Sequence, residues 1–134
     1  MTKQPRGLRN NNPGNIRRSA DKWQGLRERQ EDKAFFQFKD IGWGYRALIR
    51  LLQNYHRLHG CRTIADYIRR WAPDNENDTT AYTVAVCRRL QVPTTYCPDI
   101  NDKGTMCAFA AAISQVENGV PARMADVEKG WELL

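Results

Sequence analysis

Arg6-Gly-Leu-Arg-Asn-Asn-Asn-Pro-Gly-Asn-Ile-Arg17 is the stretch on which the reading of this chain turns. Three asparagines, Pro13-Gly14 and then Asn15 suit neither a helix interior nor a strand. They suit a structured loop, because Asn tolerates left-handed backbone angles, proline fixes its own φ, and glycine is free to take φ > 0. The crowded amide side chains offer donors and acceptors to a polar ligand such as a sugar. An ordinary turn built from good turn formers is the plainer reading.

Outward from the loop, Lys22 to Leu26 and Ala34 to Phe38 are short, aromatic and extended in character, with the charged segment Arg27 to Lys33 between them. That pattern predicts two short strands joined as a hairpin. Gly42-Trp43-Gly44 then opens a helix whose Tyr45, Leu48, Ile49, Leu52 and Tyr55 fall on one face, and Gly60 closes it. Thr63 can cap the next helix, with Asp66 three residues on and an apolar stripe of Ile64, Tyr67, Ile68 and Trp71. After the polar loop Pro73 to Thr80, Asp78 or Thr79 can cap a third helix through Tyr82, Val86 and Leu90, ending before Pro93. Val92 to Lys103 reads as a connection. Met106 to Val116 is apolar on most sides and predicts a central helix ended by Glu117-Asn118-Gly119. A short last helix carries Met124, Val127 and Trp131.

The chain has 134 residues, 41% hydrophobic and 27% charged, which suits one domain over 1–134, with residues 1–5 as an arm. No run of about 18 apolar residues exists to span a membrane, and the N-terminus has no secretory signal of the usual type. If the protein acts outside the cytoplasm, something other than a usual secretory signal must deliver it. The formal charge of +6 is spread along the chain and favours polyanions such as nucleic acid, anionic lipid or cell wall, without choosing among them. Cys61, Cys87, Cys97 and Cys107 form no C-x-x-C pair, and His56 and His59 beside Cys61 give no zinc spacing, so no metal or other cofactor is expected. Cys87 and Cys107 lie in apolar helical stretches as buried small hydrophobes. Whether any cysteines pair is open.

Among carboxylates, Glu117 stands out because it ends an apolar helix. Partly enclosed carboxylates are the groups that general acid–base catalysis uses. A solvated glutamate at a helix end is the competing reading. In the loop Asp74-Asn-Glu-Asn-Asp78, Asp78 is explained as a helix cap and Asp74 as part of a solvated turn, which leaves Glu76. A second carboxylate is what an inverting glycosidase uses to activate water, roughly 6.5–9.5 Å from the acid. A cysteine nucleophile from Cys61 with His56 or His59 lacks the local signatures of one.

These residues carry a resemblance. The loop from Arg6 to Arg17, Trp23-Gln-Gly25, Phe35 to Phe38, Gly44 to Ala47, and Trp71 to Thr79 with Tyr82 together resemble a group of small proteins of tailed phages and prophages. Those are called virion structural proteins and are suspected of degrading the cell wall as lysozyme-like proteins. The likeness covers roughly residues 6–120. A more distant one is to bacterial glucosaminidases of the lysozyme superfamily, through Asn12 to Ile16, Trp23 to Gly25, Phe36 to Phe38, Tyr45 to Leu52 and Trp71 to Tyr82. Val116-Glu-Asn-Gly119 resembles the end of a lytic transglycosylase catalytic helix, which comes first in those enzymes and last here.

The resemblance implies an α+β, mostly α-helical, lysozyme-like single domain with a small β-hairpin near the N-terminus, circularly permuted. It implies peptidoglycan as substrate, Glu117 as general acid/base, and Tyr82 and Glu76 stabilising the oxocarbenium-like transition state or placing a nucleophile. Asn12, Asn15 and Asn118 would bind sugar hydroxyls and N-acetyl groups, with Trp23 or Trp71 stacked on a ring. Trp71 also reads as core and Trp23 as packing under the loop. Other virion or secretion proteins are further partners in this reading. Two rivals remain. A non-catalytic virion or wall-binding protein would be indifferent to Glu117→Gln. A nucleic-acid binder, which Arg69-Arg70 and Arg88-Arg89 support only in part, would show steep salt dependence.

Overall fold

The computed structural model describes residues 4–134. In chain order they form α1 (Arg6–Arg9), α2 (Ile41–His59), α3 (Ile64–Trp71), α4 (Thr79–Leu90), α5 (Lys103–Asn118) and α6 (Met124–Glu132). The expected arm at 1–5 lies partly outside the described residues; Pro5 is already the N-cap of α1.

The helix ends follow local chemistry. Gly60 ends α2 at φ 68, a left-handed angle that glycine takes without penalty. Thr63 and Asp66 form a reciprocal capping box at the start of α3. Asp78 accepts from Ala81 N–H to open α4, and Asp102 accepts from Thr105 N–H to open α5. That last cap starts α5 at Lys103, one turn before the apolar run from Met106 that marks it in the sequence.

The long helix α2 packs on α6, and α5 sits against α4, α6 and α2. Tyr45, Leu48, Ile49 and Leu52 of α2 meet Ile64, Tyr67 and Ile68 of α3 and Met106, Phe109 and Ile113 of α5 in one core. Phe109 meets Tyr67 edge-on with ring centroids 5.4 Å apart. Each large side chain buried there contributes about 1.5–3 kcal/mol. Cys87 and Cys107 belong to this core, and all four cysteines are free thiols. A smaller cluster of Ile16, Phe36, Phe38 and Ala47 lies under the N-terminal segment, walled by Trp23, Trp43 and Trp71. Trp71 touches both clusters.

The expected α+β lysozyme-like domain with a β-hairpin does not form. Among the described residues the fold is all-helical with no sheet, and extended pairing is limited to the isolated bridges Arg17↔Phe35 and Leu26↔Phe38. The reason lies in where the backbone groups of 34–38 go. Phe36 N–H donates to Ile16 O and Phe38 N–H to Asn10 O. Phe36 O accepts from Asn12 Nδ2, and Phe38 O accepts from Asn11 Nδ2 and Arg27 Nε. Gln30 Oε1 takes Gln37 N–H, while its Nε2 donates to Gln37 O. The backbone of Phe36 to Phe38 thus divides its bonds between main chain on more than one side and asparagine, glutamine and arginine side chains, so its groups are satisfied without any pairing growing into a ladder. Residues 6–9, expected as irregular chain, form the single helical turn α1.

Candidate functional site

The N-terminal loop closes around Asn12, which is fully buried. Its Nδ2 donates to Ile16 O at 3.0 Å and Phe36 O at 2.9 Å, and its Oδ1 accepts from Ile16 N–H at 2.9 Å. Asn11 and Asn15 take left-handed angles, φ 52 and 49, which asparagine tolerates better than most residues. The loop lies on α2 at Gly44, where a Cβ would come within 2.7 Å of Pro13 Cδ and closer still to Asn11 O. Gly14 is pressed against the Trp71 ring, which a Cβ would meet at 2.9 Å. These packings carry Asn15 to the end of α5, 102 residues away in sequence.

There Glu117 is half-buried. Asn15 Nδ2 donates to Glu117 Oε1 at 2.9 Å, and the Tyr82 hydroxyl of α4 donates to Oε2 at 2.7 Å. Burial above all, then the Glu117 charge and hydrogen bond, push the Tyr82 phenol far above its ordinary range, with a smaller opposing influence from Trp71. Tyr82 therefore stays protonated and serves as donor. The neighbouring Asn118 sends its Nδ2 to Pro13 O and Ser114 O, both at 2.9 Å, and so ties the loop to α5. The side-chain carbonyl oxygens of Asn15 and Asn118 both face Gly7, where a Cβ would lie 2.8 Å and 2.5 Å from them. Neither oxygen has a conventional hydrogen-bond partner, so the Gly7 Cα–H groups are their neighbours.

Glu117 forms part of the wall of a cleft of about 490 Å³. Asn15, Trp71, Tyr55, Glu76 and Asp21 also line it. Glu76, exposed on the loop before α4, faces Arg17 Nε at 3.7 Å. The Trp71 ring meets Tyr55 edge-on at 6.4 Å between centroids. A second concavity of about 490 Å³ adjoins the first through Asp21, Leu51 and Tyr55, and contains Trp23 and the exposed Leu58. The Trp23 indole N–H is buried without a partner.

Of the residues singled out in the sequence, Glu117, Tyr82 and Asn15 are joined by hydrogen bonds, and Glu76 and Trp71 share the cleft with Glu117. Tyr82 stands behind Glu117, buried, and does not line the cleft. Asn12 and Asn118 are buried with their amides committed to the fold, outside the cleft lining. Trp23 belongs to the adjoining concavity. Asp21, Arg17 and Tyr55 enter the cleft without being singled out for it. Arg17 had a signal in its place directly after the asparagine loop; Asp21, in an unpatterned segment, had none. Among the described residues no cluster of His, Cys, Asp or Glu could hold a metal ion, and no helix is long and apolar enough to cross a membrane.

The architecture is thus an all-helical protein whose N-terminal asparagine loop and central-helix glutamate meet at an open cleft. No family model matches the chain. It is 38% identical over 131 residues to Protein P5 of Pseudoalteromonas phage PM2, a similarity that covers 95% of this chain and 80% of that protein. The chain belongs to the family of that phage protein. The kinship with phage proteins rests on this identity along nearly the whole chain.

Proposed function

We infer that this is a phage-type muralytic protein that cleaves glycosidic bonds of peptidoglycan, as a glycoside hydrolase or lytic transglycosylase, with Glu117 as general acid/base. The observation that carries the reading is one half-buried glutamate, held through both oxygens by Asn15 and Tyr82, at the wall of a cleft that also contains Glu76, Asp21 and the rings of Phe35, Tyr55 and Trp71. Such a group must keep its position while its proton leaves and returns. The Tyr82 hydroxyl can donate to the carboxylate or accept from the acid, and Asn15 Nδ2 can donate to the oxygen left unprotonated. Tyr82 is a positioning residue in this scheme. Glu76, on the same cleft, activates a water or stabilises positive charge at the anomeric carbon. Trp71 and Tyr55 offer apolar edges to sugar rings, and the family membership supplies a phage setting in which wall degradation is useful.

One observation favours a second reading, a non-catalytic virion or wall-binding protein. Both hydrogen bonds to Glu117 also tie the N-terminal loop and α4 to α5, as a purely structural cross-link would. Incubation of the protein and of Glu117→Gln with isolated peptidoglycan, followed by mass spectrometry of released fragments, separates the two. Fragments from the parent alone are the expected result, and their ends name the bond cut. No fragments from either protein, with both folded, would leave the structural reading.

A further inference from the structure

The charge of this molecule is segregated. Up to Trp71 the chain carries sixteen basic and six acidic residues; beyond it, five basic and nine acidic. The exposed guanidinium groups of Arg69 and Arg70 on α3 line a concavity of about 340 Å³, which includes His59 and Asp66. His59 also lines the concavity that holds Trp23 and Leu58, and that one adjoins the Glu117 cleft. The three concavities adjoin through shared walls as one groove: the first holds Asp21, Glu76 and Glu117 with Arg17, the second Trp23 and Leu58 with Lys22, and the third the pair Arg69 and Arg70.

The arginine end is oriented. The Arg70 guanidinium lies 5.6 Å from the Tyr55 ring centroid, and its Nη2 donates to His59 Nε2 at 3.0 Å. Because a guanidinium only donates, His59 is the acceptor there. Among the described residues Arg70 makes no salt bridge, and Arg69 has only Asp66 at 3.7 Å. Asp66 Oδ2 is already committed to the N–H groups of Arg62 and Thr63. Donors remain free for a planar anion, which guanidinium groups bind in a fork.

We propose that Arg69 and Arg70 form an anion subsite for the carboxylates of the peptide stems on a peptidoglycan strand whose sugars lie along the groove. This rests on the glycan-cleaving reading. A uniform polyanion such as nucleic acid, laid in the same groove, would run its phosphates past Asp21, Glu76 and Glu117, three carboxylates against the one guanidinium of Arg17, and meet net repulsion there. A polymer with neutral rings at one place and carboxylates at another matches the charge order. The selectivity this provides is for strands that still carry stems.

The test measures binding of Glu117→Gln, which does not consume its ligand, to solubilised stem-bearing glycan strands and to strands stripped of stems by an amidase. The same measurement is made after adding Arg69→Gln and Arg70→Gln. The expected preference for stem-bearing strands is about tenfold, one well-made ion pair's worth. It disappears in the arginine variant while affinity for stripped strands is unchanged. Equal binding of both strands, or a preference that survives the arginine substitutions, overturns the subsite. Double-stranded DNA bound more tightly than either strand, and lost on those substitutions, overturns it in favour of nucleic acid. Failure to bind any strand sinks the glycan reading itself, and the subsite with it. Both arginines are exposed, so an unchanged melting curve checks that the variant is folded.

Discussion

The N-terminal segment, up to Asp40, and the helices that follow are held together by different physics. The helices bury an apolar core, with Leu48, Ile64, Phe109 and Ile113 shielded from water entirely. The N-terminal segment has only a small cluster of its own and relies on polar side chains that stand in for backbone. Asn10, Asn11, Asn12, Gln30 and Gln37 each bond to main chain or to one another. Asp32 accepts from Arg6 twice, from Asn10, and from the N–H groups of Ala34 and Phe35. The difference teaches that the asparagine loop of this molecule is ordered by hydrogen bonds whose geometry is specific, whereas its scaffold is ordered by area. An apolar core tolerates approximate fits, but a buried amide left without its partner costs the desolvation of everything it served.

Removal of core area should give the largest effect. Phe109→Ala deletes a fully buried ring at the centre of α5 and is expected to cost about 4 kcal/mol. Denaturant unfolding followed by circular dichroism would record it as loss of the whole molecule at once. A change under about 1 kcal/mol would mean that α5 is not the centre of the core.

Asn12→Ala comes next. It strands Ile16 N–H and the carbonyls of Ile16 and Phe36, for an expected cost of about 2–3 kcal/mol. Unlike Phe109→Ala, it should act locally. Hydrogen exchange should quicken at Ile16 and Phe36 while the amides of α4 and α5 keep their protection. Uniform loss of protection across both regions would erase the distinction between them.

The smallest effect is one of pH. The hydrogen bond from Arg6, aided by Asn10 and the Ala34 and Phe35 N–H groups, holds the Asp32 carboxyl well below the usual carboxylate range. A group depressed in the folded state adds stability that is complete above its unfolded value, about 3.9, and is lost as pH falls through and below it. Melting curves of the parent and Asp32→Asn should therefore lie a few degrees apart at pH 5, with the parent higher, and the gap should start to narrow only below about pH 4 and still be open at pH 3. Parallel curves would show that Asp32 does not anchor the loop through its charge.

The same contrast explains what could be read from the sequence. Helices α2 to α6 were legible because apolar spacing and caps are local signals: Gly60, the Thr63–Asp66 box and Asp78 all stand where the chain says they should. The fold class was not. Trp23 to Leu26 and Phe35 to Phe38 have strand composition, but the backbone of Phe36 to Phe38 divides its bonds between the main chain of the asparagine segment and side chains of asparagines and glutamines up to 27 residues away. Nothing in a period-2 pattern reveals that. Glu117, Tyr82 and Asn15 were singled out separately, from a helix end, a helix and a loop. Their meeting depends on Gly7, Gly14 and Gly44, whose lack of side chains lets the loop press onto α5, Trp71 and α2. Close approach of that kind leaves no mark beyond the glycine itself.

A crystal structure of Glu117→Gln soaked with a soluble N-acetylglucosamine–N-acetylmuramic acid oligosaccharide tests the central claim most directly. Sugar rings should lie in the cleft beside Asn15 and Trp71, with a glycosidic oxygen about 3 Å from the side-chain amide introduced at position 117. An oligosaccharide bound elsewhere, or none bound while the cleft stays open, would contradict it.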